Sequence, residues 1–513
     1  MRQANRKEAG SSKGFDKFLN IVERLGNALP NPVMIFVWLC VIVMVLSHVF
    51  HLMGMGVTFI RGGIEETVYA RSLFSGDGIR HLFVSPVNNF ITFPPLGVVV
   101  VCMLGVGVAE ASGMIGAMIK RFVMIAPKWS LTYAIMLLGI ISSVATDAGY
   151  LVLIPLSAAV FHAMGRNPLA GIAVSFAGVS ASFGANLMIS PLDGILAGLT
   201  EAAAQIMEPG REVTIVSNYY FSIVSTVMMT LVGAWVTTRL IEPRLGQYDG
   251  QVTVEDQTLT DAEKKGLRYA LFGFLATAVA ILALVLPAGA PLRHQVTGEI
   301  LTGSPFLSGI VFVVFVMFLI PGIAYGVGAK TIKGSNDVIK YAQDSMTGLS
   351  SFFVLAFVVG TFLSFFTFSE LGTLLAVSGA NGLQALGLGT IPLLILFVLF
   401  SGFVNLLIGS MSAKYALLAP IFVPMFMQLG IVPELTQAAF RVGDGVTNII
   451  TPLMTYFPLI LVFVQKYKKD AGVGTVIAMM IPYSIWLLIS WLVLLVVFYV
   501  FSIPLGPAVV MHM

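Results

Sequence analysis

The stretch "FRVGDGVTNIITPLM", residues 440–454, decides how this chain is read. It sets an arginine, an aspartate, an asparagine, two glycines and a proline into a sequence that is otherwise apolar almost throughout. Of the 513 residues, 57% are hydrophobic and 10% charged, and the mean hydropathy of +0.94 lies well above that of ordinary soluble domains. Runs such as "VMIFVWLCVIVMVL" and "IWLLISWLVLLVVFYVF" carry no charge; they have the length of helical spans and are too long for barrel strands. The expected fold class is therefore an all-α integral membrane protein. Within such a fold, a segment as polar as 440–454 is tolerable only as the unwound middle of a span, buried in protein or lining a cavity.

Composition sets other classes aside. The N-terminal residues 1–31 hold Arg2, Arg6, Lys7, Lys13, Lys17 and Arg24 without the short apolar core and cleavage site of a signal peptide, and read as a cytoplasmic tail. Cys40 and Cys102 fall inside apolar runs and the six histidines are scattered, so neither a metal motif nor a cofactor is expected. The net charge of +3 is spread over loops and points to no nucleic acid. An intramembrane hydrolase is a remote reading: no histidine stands at the polar breaks, and neither HExxH nor GxSxG occurs. The chain is not expected to be an enzyme.

Lys and Arg collect on the cytoplasmic side of membrane proteins. By that rule "KRFVMIAPK" (120–128), "KTIKGSNDVIK" (330–340) and "QKYKKD" (465–470) lie inside, while 54–92, 288–305, 377–390 and the lysine-free C-terminus lie outside. Residues 131–163 and 391–430 each contain two apolar arms joined at a polar tip. An arm of about 15 residues reaches roughly 22 Å, short of the roughly 30 Å hydrocarbon core, so both regions read as re-entrant hairpins. The expected plan is a tail at 1–31 and a first transmembrane repeat at 32–240 containing the hairpin 131–163. A cytoplasmic linker at 241–267 follows, then a second half at 268–503 with the hairpin 391–430, and an external tail at 504–513. Nine spans then place the N-terminus in the cytoplasm and the C-terminus outside a bacterial inner membrane.

Tyr150, Pro155, Gly165 and Pro168 recur as Tyr415, Pro420, Gly430 and Pro433, each pair 265 positions apart. "GANLMISPL" (184–192) likewise parallels "GVTNIITPL" (445–453). Charge places the first corner, beside Arg166, inside and the second outside, so the halves are inverted repeats, the architecture of secondary transporters with a site near the midplane. Four breaks should converge there: "ATDAG" (145–149), "SFGANLMISPLD" (182–193), "GSMSAK" (409–414) and "GDGVTNIITP" (443–452). Thr146, Asp147, Asn186 and Ser190 form one candidate oxygen cluster for a sodium ion or a proton relay; Ser410, Ser412, Asn448 and Thr451 form its mirror. The alternative is that these side chains only satisfy broken backbone. Arg441 lies eight residues into its helix from Pro433, roughly 12 Å deep, with Asp444 three residues on along the same face. Charges at that depth either face a pathway or lock the helix to a neighbour as a structural ion pair. Asp193 is the matching acid of the first half, whereas Glu110 and Glu370 sit near span ends, where they can snorkel.

The stretches "LPNPV", "FPPLGVVVV", "ANLMISPLDGILAG", "IEPRLGQYDG", "LLAPIFVPMFMQLG", "FRVGDGVTNIITPLM" and "YKKDAGVGT" together resemble the p-aminobenzoyl-glutamate transporter (AbgT) family over nearly the whole chain. The resemblance implies a bowl-shaped homodimer in the lipid bilayer, each protomer with nine spans and two hairpins. It also implies a small-molecule substrate: import of p-aminobenzoyl-glutamate or export of sulfonamide antimetabolites, driven by sodium or protons. Export is the favoured expectation, because the second half resembles the efflux members most. The family's functional positions fall on Asp193, Ser412, Pro433, Arg441, Asp444 and Pro452. Where relatives carry a tryptophan after "SA", this chain has Tyr415, preceded by Lys414 in place of a neutral residue. Tyr415 is expected to stack on an aminobenzoyl ring, and Lys414, at a hairpin tip, to meet a substrate carboxylate or water.

Overall fold

A computed structural model of the chain describes residues 32–61, 64–144, 149–248, 259–300, 304–507 and 509. Eight of its helices are long and apolar enough to cross a membrane: Pro32–Leu52, Pro94–Ala111, Tyr219–Leu245, Asp261–Val285, Ile310–Ala329, Ser350–Phe368, Thr390–Leu407 and Val473–Val500. Seven of the eight lie outside the two regions expected as hairpins. The eighth is the first arm of the second hairpin.

Several boundaries differ from the sequence reading, each for a local reason. The apolar run that opens at Pro94 ends its helix at Ala111, because Gly113 adopts φ +91° and turns the chain into a second helix, Met114–Ile125. The expected linker 241–267 is shorter at both ends. Residues Glu242–Leu245 continue the preceding helix, and a capping box between Thr260 and Glu263 starts the next one at Asp261. Thr390–Leu407 runs 18 residues, roughly 27 Å, because no proline interrupts the run after Pro392 until the break at Ile408. The second hairpin therefore reaches deeper than its expected arms of about 15 residues. The long loop 54–92 is not helical throughout. Gly56–Arg61 and Ile64–Tyr69 pair antiparallel, with Thr58 opposite Thr67 and their hydroxyls 2.8 Å apart, as alternating β-branched residues favour.

Two helices are interrupted. The first runs through Pro168–Phe176 and a π-helical turn at Ala177–Ala181, unwinds, and resumes as Pro191–Ala204. The second runs through Pro433–Thr447 and a 3₁₀ turn at Asn448–Ile450, unwinds, and resumes as Phe457–Tyr467. Each is entered from a hairpin arm through a corner of the same kind: Gly165 (φ +72°) before Pro168, and Gly430 (φ +77°) before Pro433. A left-handed glycine ends one helix, and a proline, which needs no N–H partner, starts the next.

The same repeat appears in the packing. The first arm of hairpin one meets its interrupted helix at Gly139 and Gly178, where an added Cβ at 139 would lie 2.8 Å from Gly178 Cα. Hairpin two does so at Gly402 and Gly443, where a Cβ on Gly443 would strike the Val398 carbonyl and the Ser401 hydroxyl. Small residues let helix backbones approach where no apolar solvent difference drives them together. Gly178→Ala and Gly443→Ala are each expected to cost about 1–3 kcal/mol as overpacking. Gly97→Ala, whose Cβ would meet nothing within 4 Å, serves as the control. Thermal melting in detergent reads all three, and an unshifted melting temperature for Gly443→Ala would contradict the close crossing.

Candidate functional site

The helices Pro168–Ala181 and Pro433–Thr447 form the centre of the molecule, buried on all faces except at Thr447. For the first this is unremarkable, since apart from two serines it is built of glycine and apolar residues. The second contains Glu434, Thr436, Gln437, Arg441 and Asp444, all buried. Such a helix is stable inside protein only if its polar groups find internal partners.

Arg441 finds its partner in the other half. Its Nη1 donates to Asp193 Oδ1 at 2.7 Å and to the Gly184 carbonyl at 3.2 Å. The other Asp193 oxygen accepts from the Ser190 backbone N–H and hydroxyl, both at 2.8 Å, which caps the resumed helix Pro191–Ala204. One carboxylate thus restarts the first interrupted helix and ties it to the second. Arg441 Nε and Nη2 have no hydrogen-bond partner among the described residues.

Asp444 does not pair with Arg441, three residues away. It forms an ion pair with Lys414, both side chains fully buried, and Lys414 Nζ also donates to Asn405 Oδ1. Asn405 in turn donates through Nδ2 to Asn448 Oδ1 at 2.8 Å, the Asp444 carbonyl at 2.8 Å and Thr447 Oγ1 at 2.7 Å. The expectation of an accessible Lys414 at a hairpin tip is therefore corrected. Lys414 sits in the first turn of Met411–Met427, which packs against the buried helix Pro433–Thr447.

Tyr415 is likewise fully buried. Its ring lies 4.4 Å from that of Phe440, and its hydroxyl is 2.7 Å from Thr200 Oγ1, which donates to Gln437 Oε1 at 2.8 Å. Its counterpart, Tyr150, stacks on Tyr456 at 4.2 Å. Each hairpin thus has a tyrosine that reaches the opposite half, Tyr150 through its ring to Tyr456 and Tyr415 through its hydroxyl to Thr200, while the Tyr415 ring packs on Phe440 of its own half.

The remaining expected positions are distributed around these pairs. Thr146 and Asp147 lie outside the described residues. Asn186 bonds to Ser143 Oγ at 2.9 Å and to the Ile140 carbonyl at 3.3 Å, holding the first break to its hairpin. Asn448 Nδ2 donates to the Ser180 carbonyl at 3.2 Å, crossing between the halves. Ser190 and Ser410 are N-caps, and Thr451 donates to the Leu406 carbonyl. Ser412 lines a narrow apolar pocket with Phe93, Pro95, Leu199 and Phe352. Pro433 opens its helix, and Pro452 lies half-buried in the unwound segment.

Sequence reasoning missed Asn405, Thr200, Gln437 and the contact of buried Glu434 with the partly exposed Arg211 at 3.3 Å. Asn405 and Gln437 carried a signal: the first is a lone amide within an apolar arm, and the second precedes Arg441 by one turn on the same face. Arg211 lies in an irregular loop, where nothing in the sequence marks its partner.

The family model for AbgT transporters matches residues 17–513. The chain belongs to the AbgT transporter family. Among AbgT relatives, the p-aminobenzoyl-glutamate transport protein of Escherichia coli (strain K12) is 34% identical over 499 residues, covering 97% of this chain and 98% of the relative. The Alcanivorax borkumensis YdaH transporter, a solved structure described as having an unusual topology, is 43% identical with a TM-score of 0.89. That match covers 93% of this chain and all of the other. Neisseria gonorrhoeae MtrF, a solved structure described as illuminating a class of antimetabolite efflux pumps, is 42% identical with a TM-score of 0.88, over 93% of this chain and 97% of MtrF. The AbgT chain is thus a multi-pass membrane transporter and not an enzyme.

Proposed function

We propose that this AbgT transporter is an ion-coupled exporter of p-aminobenzoyl-type antimetabolites such as sulfonamides, working as a homodimer in a bacterial inner membrane with its N-terminus cytoplasmic. The observation that carries the reading is the buried contact of Arg441 with Asp193, which joins two interrupted helices from inverted halves. Charges at such a depth recur on transport pathways, and interrupted helices meeting at midplane are where transporters hold substrate. Two guanidinium nitrogens of Arg441 lack partners among the described residues, so an anionic or carbonyl group could be received there without displacing Asp193. The apolar pocket beside Ser412, walled by Phe93 and Phe352, has the lining to face an aromatic ring, and would have to widen to admit one. Export is favoured over the second reading, uptake of p-aminobenzoyl-glutamate, by the higher identity to the efflux structure than to the E. coli protein.

Proteoliposomes with an imposed proton or sodium gradient, given labelled sulfonamide and labelled p-aminobenzoyl-glutamate, test both. Gradient-driven, saturable sulfonamide flux is expected; flux of p-aminobenzoyl-glutamate alone would favour the second reading. If Phe352 stacks on the ring, Phe352→Ala should weaken binding by roughly 0.5–1.5 kcal/mol, about two- to twelve-fold in Kd. Unchanged binding would remove the pocket from the pathway.

A further inference from the structure

We propose that the ammonium of Lys414 takes the place of a bound cation at the break in the second half, so that no sodium ion occupies it. The break presents the oxygens a hard cation would seek: the Asp444 carboxylate and the side-chain carbonyl of Asn405, itself held in place by donating to Asn448, Thr447 and the Asp444 carbonyl. Lys414 Nζ reaches both of the first two, and no part of its side chain touches solvent.

Charge balance carries the argument. The groups meeting at this point are Lys414 from Met411–Met427, Asn405 from Thr390–Leu407, Asp444 and Thr447 from Pro433–Thr447, and Asn448 just after it; the other buried cation on the Asp444 helix is Arg441. Arg441 is committed to Asp193 and Lys414 to Asp444, so two buried cations meet two buried anions. A sodium ion added beside Asp444 would leave an uncompensated positive charge in the core, which desolvation penalises. Without the ammonium, Asp444 would be a buried carboxylate beside amide oxygens, and a sodium ion would restore the balance.

The inference rests on the reading of the chain as an ion-coupled transporter, but sodium can be counted without any substrate. Equilibrium dialysis with radioactive sodium on purified wild type, Lys414→Gln and the double variant Lys414→Gln/Asp444→Asn separates the two. Lys414→Gln is expected to bind one more sodium per chain than wild type and to melt higher in sodium than in choline; the double variant is expected to lose the extra ion. Equal counts in wild type and Lys414→Gln would overturn the proposal. So would retention of the extra ion without Asp444, or a Lys414→Gln protein as unrecoverable in sodium as in choline. Failure to transport either aromatic compound would leave these counts unaffected, and contrary counts would leave the substrate reading standing.

Discussion

Arg441→Ala and Asp193→Ala are each expected to abolish transport and to cost roughly 3–5 kcal/mol of stability, because either change leaves the opposite charge buried without its partner. Asp193→Ala carries a second loss, since the same carboxylate caps the helix Pro191–Ala204 through Ser190, worth about 1 kcal/mol more. Stability alone does not separate a pathway residue from a lock. The double variant Asp193→Leu/Arg441→Met does, because replacing a buried ion pair by apolar groups of similar volume is often neutral or stabilising. It is expected to recover most of the melting temperature and none of the flux in proteoliposomes. Near-normal flux would reassign the pair to a purely structural role.

Tyr415→Ala is the second large effect. Removing a fully buried aromatic ring packed on Phe440 should cost about 3–5 kcal/mol, whereas Tyr415→Phe, which leaves only Thr200 short of a partner, should cost about 1–3 kcal/mol. Tyr415→Trp, which sets a larger ring into the same fully buried position, should overpack the site by about 1–3 kcal/mol. Melting of the three purified variants orders them. A stabilised Tyr415→Trp would show that the ring has room and faces the pathway.

The two interrupted helices were legible because proline, glycine and charge have no other reason to stand in a greasy run, and Gly165 and Gly430 did take the left-handed corners their repeat implied. The ion pairs were not. Arg441 and Asp444 share a helix face, and the near neighbour is the natural reading from spacing, yet each reached across to another element: Arg441 to Asp193, Asp444 to Lys414. Helical spacing reports which side chains are neighbours on one element and says nothing of what packs against it. The depth of Lys414 was hidden for the same reason, because a residue beside a hairpin tip is solvated only if the tip emerges, and Thr390–Leu407 is too long and too well packed for that. Thr58 and Thr67 escaped because a short ribbon in a loop leaves no periodic signal longer than six residues.

The Arg441 contact with Asp193 spans 248 residues of sequence. A ribosome adding on the order of 5–20 residues per second inserts Asp193 into the bilayer roughly ten to fifty seconds before Arg441 exists. Throughout that interval the first half holds an acid at depth with only its own capping serine for company. Biogenesis of this protein therefore passes through a half-built state whose polar centre is open to lipid. A nascent chain that stalls within the second half is expected to keep that carboxylate without its cation.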